Sequence, residues 1–144
     1  FIFEPVQCIG ISMYPTLVGG EGMFTEKLTY TVSAPQRDDI IICRYPYHTE
    51  KCVKRVIATP GDRISISDGA IYLNGERLDE SAYWSGYIED SEMPEVTVPE
   101  RNLFVVGDNR NHSGDSRHVG FIPYWQVKGK VRAVMTPFSQ ARWI

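Results

Sequence analysis

The segment at residues 68–75 reads DGAIYLNG, in which the mainly apolar residues 70–73 lie between two turn dipeptides. Asp68-Gly69 and Asn74-Gly75 both suit the positive φ angles that tight hairpin turns require. We therefore predict a strand over residues 70–73 with a hairpin turn on each side. Consecutive hairpins build antiparallel sheet, so this segment indicates the fold class.

The rest of the chain repeats this strand pattern. Stretches rich in branched and aromatic residues occur between turn signals at residues 39–45, 52–57, 102–106 and 130–135. We predict a mainly β fold, an antiparallel and barrel-like sheet with few short helices.

Two parts of the chain depart from the strand pattern. Residues 80–99 combine Ser, Gly, Pro and acidic residues with three aromatics, and we predict an irregular surface insertion there. The best helix candidate runs from Pro123 to Lys128, because Pro suits a first helical turn and Gly129 suits a stop. With 144 residues, the chain is predicted to be a single domain over residues 1–144.

Composition excludes several classes of protein. The net charge is -3 and the Lys and Arg residues are scattered, so we expect no nucleic-acid partner. Apolar runs such as residues 40–43 are far shorter than the ~20 residues that a membrane-spanning helix requires. The chain begins with Phe1 rather than Met, and we interpret it as a fragment of a longer protein.

Three cysteines, Cys8, Cys43 and Cys52, are an odd number without CxxC spacing. This pattern predicts neither a zinc site nor a complete disulfide framework. We interpret all three as small, buried, apolar side chains.

Ser12 and Lys54 are the candidates for chemistry. Ser12 lies between an apolar segment and Pro15, which places its hydroxyl at a strand end. Strand alternation puts Lys54 on the same face as Cys52 and Val56. A lysine in apolar surroundings can be neutral near physiological pH and accept a proton from a serine. The ordinary alternatives are a turn-forming serine and a lysine that reaches solvent at a strand edge.

Residues 107–117, GDNRNHSGDSR, form a dense polar run after an apolar strand. Its acids, amides, hydroxyls and arginines suit a loop that is held together by charge-assisted hydrogen bonds, although a solvated turn has the same composition. The run lacks the spacing and the terminal Glu of a calcium-binding EF-hand loop, so we predict no metal site. His48, His112 and His118 are candidates for a catalytic triad with Ser12, but none lies in a recognisable triad motif.

These segments together resemble those of bacterial type I signal peptidases, most closely the Gram-positive ones. Residues 12–17 (SMYPTL) resemble the nucleophile motif of that family, residues 54–62 (KRVIATPGD) its lysine motif, and residues 107–117 its C-terminal motif. Residues 39–42 (DIII) are similar to a short segment that the family carries between the first two. The motifs occur in the family's order and span roughly residues 6–120.

The resemblance implies a serine endopeptidase that removes signal peptides from secreted preproteins, without metal or cofactor. It implies a catalytic domain on the extracytoplasmic side of the cell membrane, in contact with the membrane surface, whose N-terminal anchor is missing from this chain. It also implies roles by position, with Ser12 as nucleophile and Lys54 as base. Ser113 would orient the lysine, and Asp108, Asp115 and Arg117 would support the site.

In two places the sequence departs from the family pattern. Gly10 stands where some members have a serine that donates to the oxyanion, so the oxyanion hole must depend on backbone N–H groups, that of Ser12 and those of nearby residues. Ala58 stands where glycine is commoner, which is a mild change.

We expect the substrate to bind as an extended strand between the segments that lead to Ser12 and Lys54. Signal peptides carry small residues before the cleavage point, as in A-x-A. The candidates for lining the pockets that accept them are Cys8, Met13, Leu17, Cys52 and Val53. Two other functions are consistent with parts of the sequence: a self-cleaving Ser-Lys protease of the LexA type, and a non-enzymatic β domain that binds peptides or lipid surfaces.

Overall fold

The computed structural model describes residues 3–144, so Phe1, on which the interpretation as a fragment depends, lies outside the described residues. Two short α-helices are present, α1 (Thr29–Val32) and α2 (Ser116–Val119). Twelve strands account for most of the regular structure. They are β1 (Phe3–Gln7), β2 (Gly22–Glu26), β3 (Ile40–Arg44), β4 (Lys51–Ala58), β5 (Arg63–Ser67), β6 (Ala70–Leu73), β7 (Glu76–Arg77), β8 (Met93–Thr97), β9 (Asn102–Val106), β10 (Ile122–Pro123), β11 (Val127–Thr136) and β12 (Arg142–Trp143).

The strands form two antiparallel sheets. The larger sheet has the order β1-β2-β11-β3-β4-β9-β10, with β12 beside β11, and it curls into a half-barrel. The smaller sheet has the order β7-β6-β5-β8. This architecture confirms the predicted mainly β, antiparallel fold with few short helices.

The segment at residues 68–75 forms the two predicted hairpins. β6 pairs with β5 on one side and with β7 on the other. All four turn residues have positive φ angles, 49° at Asp68, 72° at Gly69, 53° at Asn74 and 85° at Gly75. This conformation is the one that two-residue hairpin turns of the primed types require.

Both faces of the larger sheet are buried near its centre. On β3, Ile40 and Ile42 pack on one face with residues of β2 and β11, while Ile41 and Cys43 pack on the other with residues of β4 and β9. This two-sided burial explains the uninterrupted apolar run at residues 40–43, because a strand that is covered on both faces needs no polar alternation. A third apolar cluster joins the smaller sheet to β4 and β9.

The predicted helix over residues 123–128 is wrong. Pro123 ends β10, residues 124–126 form a single 3₁₀ turn, and β11 begins at Val127. Gly129 does not stop a helix but lies within β11, where an added Cβ would come 3.2 Å from the Glu26 carbonyl oxygen of β2. The close approach of a neighbouring strand therefore favours glycine at this position.

Residues 80–99 are more ordered than the sequence indicates. Met93–Thr97 forms β8, which pairs with β5 at the edge of the smaller sheet. Pro94 hides this strand in the sequence, but an edge strand tolerates the missing N–H. Ile88 and Glu80 are buried, so the segment also packs against the body of the protein. No helix within residues 3–144 combines the length and the apolar character needed to span a membrane.

Candidate active site

β4 changes its pairing partway along its length, and Lys54 lies at this change. The first half of β4 pairs only with β3, in the register Val53 to Ile42 and Lys54 to Ile41. From Arg55 onward β4 also pairs with β9. The larger sheet therefore opens beside Lys54, and the free edge of residues 51–53 faces a cleft.

The Lys54 side chain reaches across this opening to Ser12. Its Nζ lies 2.7 Å from Ser12 Oγ, although the two residues are 42 positions apart in the sequence. Lys54 is only 4% exposed, as its position among apolar residues of β4 predicts. The pair has the geometry of a nucleophile and its proton acceptor. Lysine thus occupies the place beside the serine that histidine takes in a Ser-His-Asp triad.

The prediction that Ser12 lies at a strand end is wrong. Ser12 lies in a loop, five residues beyond the end of β1. Buried apolar side chains hold this loop, because Met13 and Leu17 are 1% and 0% exposed and pack into the core. The polar run also holds it: Asn109 donates from its backbone N–H to the Ser12 carbonyl at 2.9 Å and from its side chain to the Ile11 carbonyl at 3.0 Å. The hydroxyl is thereby fixed without a strand.

Asp108 connects the polar run to β4. Its carboxylate accepts two hydrogen bonds from the Arg55 guanidinium, at 2.8 and 2.7 Å, and one from the Thr16 hydroxyl at 2.6 Å. Both charged side chains are buried, and such a bidentate pair is geometrically specific. The ion pair thus links the Ser12 loop to the strand that carries Lys54.

Asp115 organises the other end of the polar run. It is fully buried and accepts hydrogen bonds from Arg117 Nε at 2.8 Å, from the Ser113 hydroxyl at 2.8 Å and from the Gly107 N–H at 3.0 Å. It also caps the N-terminus of α2. Within residues 3–144, the hydrogen bonds of Ser113 join it to Asp115 and Arg117, not to Lys54. A role of Ser113 in orienting the lysine therefore stays a prediction.

Acid should destabilise the protein partly through Asp115. Burial alone would raise the pKa of Asp115, but the hydrogen bond and charge of Arg117, together with the hydrogen bonds from Gly107 and Ser113, outweigh it and the pKa is lowered. The stabilisation by the ionised Asp115 carboxylate is therefore complete at pH values above the unfolded-state pKa of ~3.9. It is lost as the pH falls through the lower folded-state pKa. We expect the Asp115→Asn protein to melt at a lower temperature than wild type at neutral pH. Below about pH 4, its melting temperature should fall less with decreasing pH than that of wild type. Parallel acid limbs in melting scans of the two proteins would contradict this.

Gly107 allows the polar run to approach the nucleophile closely. A Cβ at this position would lie 2.5 Å from the Ser12 carbonyl oxygen and 2.7 Å from Ser113 Cβ. We expect Gly107→Ala to displace the Ser12 loop. It should lower kcat/KM for the expected cleavage of a leader peptide about 100-fold, since shifts of ~1 Å in a reacting group have effects of that size. Gly114→Ala is the matched control, because a Cβ there meets no atom within 4 Å. Equal activity of the two variants would show that Gly107 does not position Ser12.

A cleft of about 690 Å³ lies beside the dyad, with residues 6–9 on one wall and residues 51–54 on the other. Four of the predicted pocket residues, Cys8, Met13, Cys52 and Val53, line this cleft. Leu17 does not. It is fully buried in the core beneath the Ser12 loop, because the loop turns it inward to anchor the backbone.

The histidines lie outside this site. His48, His112 and His118 are all exposed, and within the described part of the chain none of their rings hydrogen bonds Ser12 or a carboxylate. Sequence reasoning missed a third buried ion pair, in which Arg110 donates to Glu80 at 2.8 Å. Charge alone could not identify this pair, because Glu80 lies in the segment that is predicted to be a surface insertion.

Comparisons with known proteins identify the family of this chain. A family model described as "Signal peptidase, peptidase S26" matches residues 1–136. Signal peptidase I of Bacillus caldolyticus is 39% identical over 97% of this chain and 83% of its own length. Signal peptidase I T of Bacillus subtilis is 34% identical over 99% of this chain and 78% of its own length. A crystal structure of a signal peptidase I from Enterococcus faecalis has 35% identity and a TM-score of 0.55, covering 69% of this chain and 97% of that chain.

The chain therefore belongs to the signal peptidase family. This membership confirms the predicted class of enzyme, a serine endopeptidase that removes signal peptides from secreted preproteins. It does not support the two alternatives, the self-cleaving repressor and the non-enzymatic binding domain. The dyad geometry of Ser12 and Lys54 is consistent with the family.

Proposed function

We propose that Ser12 is the nucleophile and Lys54 the general base of an acyl-enzyme mechanism for the cleavage of signal peptides. The observation that carries the proposal is the 2.7 Å contact between Lys54 Nζ and Ser12 Oγ, made by a lysine that is buried. A proton acceptor must be within hydrogen-bonding distance of the proton it removes, and this contact meets that requirement.

In this mechanism, neutral Lys54 takes the hydroxyl proton as Ser12 attacks the scissile carbonyl. The resulting ammonium then gives the proton to the leaving amine, and the leader peptide remains attached to Ser12 as an ester. Lys54, neutral again, activates a water that hydrolyses the ester. One amine therefore serves both half-reactions.

The backbone N–H of Ser12 is the proposed donor to the oxyanion. Within the described residues it makes no hydrogen bond to another group, whereas the Ser12 carbonyl is engaged by Asn109. An N–H that is held in place and has no internal partner is available to a developing negative charge. Gly10 lies two residues before Ser12. Its φ of 84° is a backbone conformation that favours glycine.

We propose that the substrate binds as an extended strand in the cleft between β1 and the first half of β4. β1 lies at the edge of the larger sheet, and residues 51–53 pair on one side only, so both walls present unpaired backbone groups. Added-strand binding uses such groups for affinity and side-chain pockets for selectivity. Cys8, Met13 and Val53 line the cleft and would accept the small residues that precede the cleavage point.

Cleavage of synthetic leader peptides tests this function. A peptide with A-x-A before the cleavage point should be cut at that bond, and replacement of either Ala by Phe should abolish cutting. The matched control is the same replacement at the middle residue, whose side chain points away from the pockets in an extended strand. If all three variant peptides were cut equally, the proposed pockets would be wrong.

Single replacement of His48, His112 or His118 by Ala should leave kcat/KM for this peptide within about threefold of wild type. The reason is that exposed groups outside the cleft contact no reacting atom. Complete loss at any one of the three positions would restore the triad interpretation.

The proposed membrane contact is an exposed apolar groove, separate from the cleft, that is lined by residues of β1, β2, α1 and β12. Its lining includes Phe3, Leu28, Val32 and Trp143, and both Val32 and Trp143 are 83% exposed. Exposed apolar patches with aromatic residues are typical of membrane interfaces. Since β1 leads directly to the Ser12 loop, this contact would hold the cleft near the bilayer on the extracytoplasmic side, where secretory leaders emerge.

Sedimentation with phosphatidylglycerol-containing vesicles tests the membrane contact. The Val32→Ser/Trp143→Ser variant should bind less than wild type. Trp125→Ser should bind as wild type does, because Trp125 is 71% exposed but lies outside the groove. If neither variant differs from wild type, or if both lose binding equally, the groove is not the contact surface.

A further inference from the structure

Cys43 and Cys52 lie directly opposite each other on neighbouring strands. They are cross-strand partners in the β3–β4 ladder, and their sulfurs are 3.5 Å apart. Directly opposed residues of an antiparallel pair have Cα atoms about 4.5–5.5 Å apart, which falls within the range that disulfides span. The strands thus already hold the two thiols at a separation that a disulfide can bridge.

The two thiols differ in access. Cys43 is 0% exposed and packs in the apolar cluster shared by β3, β4 and β9, whereas Cys52 is partly exposed and lines the cleft beside Lys54. A reagent that enters the cleft therefore meets Cys52 first. Cys43 has no exposed surface and is in contact with Cys52.

The two thiols also differ in acidity, and the more exposed thiol, Cys52, is the more acidic one. The hydrogen bond from Cys43 outweighs the effect of burial and is the main reason that the pKa of Cys52 is lowered to about 7. The hydrogen bond and burial hold the pKa of Cys43 well above its usual range. Since the thiolate is the reactive species in thiol–disulfide exchange, Cys52 is suited to attack and Cys43 to follow.

We propose that Cys43 and Cys52 are a redox-active thiol pair, in which Cys52 captures small disulfides that enter the cleft and Cys43 releases them. The Cys52 thiolate attacks one sulfur of a small disulfide such as oxidised glutathione, forming a mixed disulfide and expelling one thiolate. The Cys43 thiol then loses its proton and attacks Cys52 Sγ, which expels the second thiolate. Two protein thiols are oxidised to one disulfide, and one small disulfide is reduced to two thiols.

The consequence for the enzyme is protection of its cleft. A mixed disulfide on Cys52 would place a tripeptide-sized group on the wall that the proposed substrate strand uses. Closure of the Cys43–Cys52 disulfide replaces that group by a bond between residues that are already in contact. Cys43 would thus be a residue that keeps the site open under oxidising conditions.

Intact-mass measurement after treatment with oxidised glutathione tests the chemistry. Wild type should lose two hydrogen atoms and carry no glutathione. Cys43→Ser should gain one glutathione, located on Cys52 by peptide mapping, and Cys52→Ser should remain unmodified. Cys43→Ala provides a second buried variant, and melting scans before treatment identify any variant that is unfolded. A stable glutathione adduct on Cys52 of folded wild type, or an unreacted Cys52 in both folded Cys43 variants, would overturn the proposal.

Peptide cleavage by the same samples tests the protective role, which depends on the proposed function. Treated Cys43→Ser should lose most of its activity and regain it with dithiothreitol, while treated wild type keeps its activity. Full activity of the glutathione adduct would overturn the protective role. A failure of untreated wild type to cut the peptide would instead count against the proposed function and leave the mass result standing.

Discussion

Replacement of Ser12 or Lys54 by Ala is expected to lower kcat/KM for a leader peptide by about 10³-fold or more. The 2.7 Å hydrogen bond makes the two side chains one catalytic unit, because the serine is a weak nucleophile without its proton acceptor. The Ser12→Ala/Lys54→Ala double variant should therefore be no less active than either single variant. Steady-state kinetics on a synthetic leader peptide measure all three.

Lys128→Ala is the control for the loss of a lysine. Lys128 lies on β11, and its ammonium bonds an exposed backbone carbonyl of Trp125 rather than a group of the cleft. Activity of this variant should match that of wild type. Substantial activity in folded Lys54→Ala, or losses at Ser12 and Lys54 that multiply in the double variant, would contradict the dyad.

The largest effect on stability is expected from Asp108→Ala. This change leaves the Arg55 guanidinium, whose side chain is 10% exposed, without the carboxylate that accepts two of its hydrogen bonds. Removal of one partner from a buried ion pair costs about 3–5 kcal/mol, a large part of the total stability of a typical domain. Urea unfolding at neutral pH measures the difference.

Two further proteins make that experiment specific. Glu95→Ala removes the partner of Arg63 in an ion pair whose side chains are 47% and 51% exposed, and it should cost less than about 1 kcal/mol. Arg55→Met/Asp108→Leu removes both buried charges and should recover much of the loss. If Asp108→Ala and Glu95→Ala unfolded at the same urea concentration, the buried pair would not stabilise the fold.

Local signals in the sequence were sufficient for much of the fold. The turn dipeptides around β6 need particular φ angles, which are properties of the dipeptides themselves. Strand alternation in β4 likewise predicts that Lys54 faces apolar neighbours, and it is buried. Predictions failed where a distant strand determines the structure. Gly129 is small because β2 passes close to it, and Pro94 is tolerated because β8 has only one neighbour.

In the candidate site, too, local sequence predicted the identity of residues but not their tertiary contacts. Ser12 and Lys54 could be selected as residues, but no local pattern specifies a contact between positions 42 residues apart. Leu17 illustrates the difficulty, because apolar character does not distinguish a side chain that lines a cleft from one that anchors the loop beneath it. The Glu80–Arg110 pair depends on the packing of residues 80–99 against the polar run, which is a tertiary property.

The change of partners along β4 has a consequence for the range of proteins that one such enzyme could process. In the proposed binding mode, most of the affinity comes from amide groups, which are identical in every polypeptide. Selection then depends on little more than the room for two side chains near the cut. A catalyst built in this way would accept a large and varied repertoire of secreted proteins, and their leader sequences could diverge freely provided that those two residues stay small.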